Sequence, residues 1–277
     1  MHAILAFSAM HIRSLKAPSQ RPSPLEIYHW QQTLPRFGQE VAPHIGKEDA
    51  DSMLATAILA NGIAFAMVDG DDPCQSCPVS SKPNDLQWLS LQGGIELIFH
   101  ATRPLHDESV LKDLFVGEID DDKFNKSLSL SRLPPRLIQL CQITAQSTPE
   151  DNPYYHPPQL LAPLLQLECT NETLITHLCF IGSIRPKYAS LLWAKDHRAL
   201  LTFAYWYATI CSFKCWWTAP QSRLECTVIC MYLEKYGDAN IQELLPFPAQ
   251  ACGYRLRRTA SLTGEQALQT LVPCFLM

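Results

Sequence analysis

The segment from Asp196 to Phe213, DHRALLTFAYWYATICSF, constrains this fold more than any other part of the chain. Wound as a helix it is apolar around nearly its whole circumference, so no face of it is suited to water and other helices must enclose it. Its uncharged core, Ala199 to Phe213, is 15 residues between Arg198 and Lys214. That is short of the roughly 20 residues needed to cross a bilayer. The segment is therefore predicted as the central helix of a soluble protein, with Asp196 as N-cap. Thr218 is predicted to cap its neighbour, which carries Pro220 in its first turn, Leu224, Val228, Met231 and Tyr232 as its apolar stripe, and Gly237 at its end. Asp238 then opens a short helix, ANIQELL, which Pro246 is expected to stop.

Elsewhere the pattern is helical as well. Residues 2 to 15 set Ile4, Phe7, Met10 (or His11) and Leu15 on one stripe, Ser23-Pro24 opens a second helix that Pro35 should kink, and a third runs from about Glu48 to Val68 behind an acidic first turn. On the second helix Leu25, Tyr28, Leu34, Phe37 and Val41 form the expected stripe; on the third, Leu54, Ile58, Phe65 and Val68. Further helices are predicted at about 85–101, 134–147, 157–167 and 171–182. Residues 69–84 and 102–133 read as loop insertions, since they hold prolines and acidic residues and no core-sized apolar segment. No stretch alternates with period two and no repeat recurs at a fixed period. The expectation is an all-α fold: one irregular helical domain over 1–277 with two insertions.

The 277 residues carry 22 Lys+Arg against 27 Asp+Glu, a formal charge of -5. Such a balance does not supply the positive field that holds a protein on nucleic acid. Eleven cysteines, an odd number, fit a reducing compartment better than a disulfide framework. Cys74-x-x-Cys77 resembles half a zinc or redox motif, but no second half stands near it, and two loop thiols are the simpler reading. Cys211-x3-Cys215 and Cys226-x3-Cys230 put paired thiols on one face of consecutive helices, a spacing that disulfides and metals both use. Their apolar neighbours favour packing, in which cysteine acts as a small hydrophobe. The acidic run Glu118 to Asp122 lacks the ligand spacing of a calcium loop. No nucleophile elbow, zinc-protease helix or phosphate loop occurs, so the chain is expected not to be an enzyme and to use no cofactor.

Phe203, Tyr205, Trp206, Tyr207, Phe213, Trp216 and Trp217 concentrate aromatic rings on the central hairpin. Two readings stand: plain core, or the lining of an apolar pocket between the 196–213 and 218–236 helices, with Tyr205 and Thr209 orienting a ligand.

Read together, HAILAFSAMHI near the start, DLQWLSLQGGIELI at 85–98, ALLTFAYWYA ending at 208, Trp216-Trp217, RLECTVICMYL and LLPFPAQACGY at 244–254 resemble the C-terminal regulatory domain of fungal zinc-cluster transcription factors, most nearly the sterol uptake control branch. The resemblance implies an all-α regulatory module, nuclear or cytoplasmic, holding a sterol or other apolar molecule and contacting the transcription machinery. Carried onto this sequence, it makes Tyr205, Trp206, Thr209, Trp216, Trp217, Phe247, Gly253 and Tyr254 the candidate ligand-binding residues. The family's six-cysteine, two-zinc DNA-binding cluster does not occur in these residues, so zinc and direct DNA contact are expected only from a preceding domain. The chain thus reads as a fragment of such an activator or as a regulator acting through protein partners; a helical interaction module without ligand is the alternative function, and an enzyme of unknown chemistry the lesser one.

Overall fold

The structure, a computed structural model, describes residues 1–16, 21–41, 45–67, 76–79, 87–112, 132–182 and 184–257, and within 87–96 the side chains of 89 and 94 only. Among these the chain is all-α, with no strand. The helices are α1 (His2–Lys16), α2 (Pro24–Glu40), α3 (Lys47–Ala66), α4 (Gln87–Thr102), a 3-10 turn at Arg103–Glu108, α5 (Pro135–Leu140), α6 (His156–Leu164), α7 (Leu174–Gly182), α8 (Pro186–Trp193), α9 (His197–Cys211), α10 (Ala219–Tyr236), α11 (Ala239–Glu243) and α12 (Pro246–Cys252). No helix among the described residues is long and apolar enough to cross a membrane.

Helix α9 is the hub, as its all-round apolarity requires. Residues from Ala199 to Cys211 are all buried, with α10 and α12 against it on one side and α6, α7, α8 and α11 on others. The Asp196 carboxylate accepts from the backbone N–H groups of Arg198 and Ala199 at 3.0 Å, the predicted cap. Tyr188 on α8 ties down the same end, its hydroxyl donating to the Ala199 carbonyl at 2.9 Å.

The N-terminal helices form a separate layer, α1 packing on α2 and α3, and α3 on α4. Glu26 joins α1 to α2: it completes a capping box with Ser23, and Arg13 donates to its two carboxylate oxygens at 2.9 and 3.1 Å. The predicted stripes of these helices are only partly the buried ones. Ala3, Ala6 and Met10 face the core of α1, whereas Ile4 is 53% and Leu15 74% exposed; on α2, Leu25, Tyr28 and Val41 are exposed and Glu26 and Thr33 buried. Small side chains let the helix axes approach closely, and the larger apolar residues are left on the outer face.

Other differences concern helix ends. Helix α7 starts at Leu174, not Asn171, because Thr173 closes a turn first, accepting from the Thr170 N–H at 3.0 Å. Helix α5 is only six residues long, since Gln142 turns left-handed at φ 53°. Thr218 adopts helical angles and its buried hydroxyl caps nothing. Pro246 does end α11, but it also occupies the first turn of α12. Residues 118–122, Cys74 and most of the 69–84 insertion lie outside the described residues.

Candidate functional site

Three of the candidate ligand residues, Tyr205, Trp206 and Thr209, lie on α9 with their polar side-chain atoms engaged. Tyr205 donates its hydroxyl to the Leu244 carbonyl at 2.9 Å, and its ring sits 5.0 Å from that of Phe247. Trp206 is fully buried; its indole N–H donates to the His177 carbonyl at 2.7 Å, and its ring stacks on Phe180 at 5.5 Å and Phe203 at 5.3 Å. The Thr209 hydroxyl turns back to the Trp206 carbonyl at 2.8 Å. Burial pushes the phenols of Tyr205 and Tyr207 above the ordinary range, so both remain neutral.

The Trp216-Trp217 pair points two ways. Both rings contact Phe7 of α1, at 5.1 and 6.1 Å; Trp216 also lies 4.8 Å from His11, and Trp217 6.2 Å from Phe65, which in turn lies 6.2 Å from Trp206. Gly62 makes room for this crossing, since a Cβ there would stand 3.2 Å from Phe7 and 3.7 Å from Trp217. Gly253 adopts φ 81° and closes α12, so Phe247 to Gly253 form a capped helix. Tyr254 donates to Glu234 at 2.7 Å, and burial together with that carboxylate pushes its phenol up to about 12. Among these residues Tyr205 meets Phe247, and Trp206 reaches Trp217 through Phe65.

A different set converges. Cys226 and Cys230, one turn apart on α10, meet Cys252 at the end of α12, with all three sulfurs within 4.8 Å of one another. Cys226 also faces the Pro248 carbonyl at 3.4 Å and the Ala204 carbonyl at 3.6 Å. Hydrogen bonds from the Cys226 and Cys230 thiols hold Cys252 well below the ordinary thiol range, against the effect of burial. Contact with the neighbouring thiols, first Cys211, and burial push Cys226 up. Of the paired spacings read in the sequence, Cys226-x3-Cys230 belongs to this cluster and Cys211 touches its edge, but Cys215 is not in it. Cys252 carries no spacing signal; only the docking of α12 on α10 brings it there.

Two further arrangements have chemical groups in reach. The Cys169 sulfur lies 4.0 Å from His177 Nε2, but His177 is fully buried, 4.9 Å from the Phe213 ring, and burial lowers its pKa against the pull of two carbonyls. A cysteine–histidine nucleophile needs a cleft where substrate can reach the pair. A polar surface cleft of about 570 Å³ lies elsewhere, lined by Gln142, Lys195, Asp196, His197, Arg198 and Asp238 among others. Its two positive-φ residues, Gln142 and Lys195, are explained by helix endings: each closes a helix with the paired bonds of a Schellman motif, Ile143 to Ile138 with Gln142 to Gln139, and Asp196 to Leu191 with Lys195 to Leu192.

No protein-family model, curated protein or solved structure matches this chain.

Proposed function

We propose that this chain is a helical regulatory module of the kind carried by fungal zinc-cluster transcription factors, that it is not an enzyme, and that it acts through protein contacts. The observation that carries this reading is the contrast between core and surface. The aromatic rings of α9, first in line for a ligand pocket, are packed on one another and on Phe180, whereas α1 and α2 present large apolar side chains outward. Ile4, Ile12 and Leu15 recur at helical spacing on α1, and Leu25 and Tyr28 are exposed on α2. The segments that carry the family resemblance also support it: ALLTFAYWYA, RLECTVICMYL and LLPFPAQACGY lie in α9, α10 and α12, which pack against each other. A net charge of -5 leaves DNA contact to another segment or chain.

Fusing the full chain to a heterologous DNA-binding domain and measuring a reporter gene tests this. Wild-type fusion is expected to change reporter output, and Ile12→Asp with Leu15→Asp to abolish the change while leaving the melting temperature intact. Reporter output equal to that of the DNA-binding domain alone, or unchanged by the paired substitutions, overturns the reading.

A further inference from the structure

We propose that Cys226, Cys230 and Cys252 form a three-sulfur site for one thiophilic cation of the copper(I) type, clamping α12 to α10. The sulfurs lie within 4.8 Å of one another. A metal at about 2.3 Å from each sulfur holds them about 3.8–4.0 Å apart, so closure needs shifts of less than about 1 Å, within the reach of cysteine rotamers. The ligands come from two helices: Cys226 and Cys230 one turn apart on α10, and Cys252 from the last turn of α12. Binding therefore joins two elements and not merely two turns of one.

The donor set selects the ion. Thiolates favour soft cations over magnesium, calcium or manganese. Among the described residues no fourth cysteine, histidine or carboxylate ligand atom joins the group within the same span. Structural zinc takes four protein ligands, whereas copper(I) is satisfied by three sulfurs. The surroundings suit a permanent site. The Thr227 hydroxyl and the Tyr254 backbone N–H donate toward the Cys252 sulfur, whereas Cys226 gives up its S–H contacts to the Ala204 and Pro248 carbonyls on binding. Cys252 is only partly buried and stands beside the exposed Gly253, which gives an entry path. On binding, thiols lose their protons to solvent as sulfur–metal bonds form, with no change of oxidation state. This site stands on sulfur geometry and is independent of the regulatory reading.

Anaerobic titration of the reduced full chain with copper(I), in competition with bicinchoninate, tests the proposal. One copper per chain is expected to be withdrawn from the chelator, with a new near-ultraviolet sulfur-to-copper absorption band, a raised melting temperature and a three-sulfur shell by X-ray absorption. Cys252→Ser and Cys230→Ser should each weaken uptake at least a hundredfold, while Cys141→Ser, which removes a buried thiol near Thr202, should leave it unchanged. Failure of the wild-type chain to take copper from the chelator overturns the proposal, whatever the variants do. So does uptake that persists in both ligand variants, or a preference for zinc that depends on Cys211 as fourth ligand.

Discussion

Truncating Trp206 probes the hub directly. The side chain is fully buried, stacks on Phe180 and Phe203, lies 6.2 Å from Phe65 and donates its N–H to the His177 carbonyl at 2.7 Å. Replacing a buried tryptophan by alanine costs about 3–5 kcal/mol, in lost transfer energy and residual cavity. Trp206→Phe keeps most of the apolar volume but leaves the His177 carbonyl without its donor, about 1–3 kcal/mol for a buried unpaired group. Some cavity cost adds to this, so about 2–4 kcal/mol is expected. Against a total stability of about 5–15 kcal/mol, the alanine variant loses a large fraction of it. Urea unfolding followed by circular dichroism reads both. With a slope of about 3 kcal/mol/M, the midpoint should fall by roughly 1 M or more for alanine and by about 1 M for phenylalanine. A tryptophan lining a ligand cavity would have fewer contacts to lose. A Trp206→Phe midpoint within about 0.2 M of wild type, with the slope unchanged, would refute the packing argument.

Three further outcomes follow from single residues. Burial lowers the pKa of His177 in the folded state, so the unfolded chain takes up the proton first as pH falls. The stability is present above the ordinary histidine value of about 6.5 and declines as pH drops through it toward the lowered folded value; His177→Gln should flatten the melting-temperature profile between about pH 7 and 5, and parallel profiles would contradict this. Lys195→Gly removes a non-glycine residue from a left-handed helix end at φ 57° and should raise stability by roughly 0.5–1 kcal/mol after the entropic cost of glycine, read as a higher urea midpoint; a lower midpoint would show that the Lys195 side chain stabilises more than its backbone costs. Gly237→Ala brings a Cβ to 2.5 Å from the Leu233 carbonyl oxygen and 2.7 Å from Ile241, so about 1–3 kcal/mol should be lost to overpacking even though φ there is an ordinary -72°; a neutral effect in the melt would mean that the α10–α11 junction yields.

The legible parts of this fold are those where one physical requirement dominates. Helix α9 was evident because nothing but burial satisfies a helix apolar on every side, and Asp196 fixed its start. The α1 stripe was misread because periodicity weights large side chains, whereas Ala3 and Ala6 face the core and Leu15 does not. Pro246 is expected only to stop a helix, yet proline at the first position also starts one without losing a bond, as Pro246 does in α12 and Pro186 in α8. Thr218 looked like a cap, but the turn before α10 already runs into it, Ala219 bonding back to the Cys215 carbonyl. Of the candidate residues, Gly253 is set by backbone geometry alone, its φ of 81° being one that glycine adopts freely. The thiol cluster was half legible: one-turn spacing pairs Cys226 with Cys230, but the third sulfur arrives from a helix 22 residues further on, through a docking that no local pattern encodes.

The account turns on whether the α9 rings are solid core, and a fluorescent sterol tests that most directly. Titrating the full chain with dehydroergosterol and exciting tryptophan should give no saturable energy transfer and no shift in melting temperature, because Trp206 has its faces against Phe180 and Phe203. Saturable one-to-one transfer that Trp206→Phe abolishes would contradict it, and would make α9 the wall of a ligand pocket.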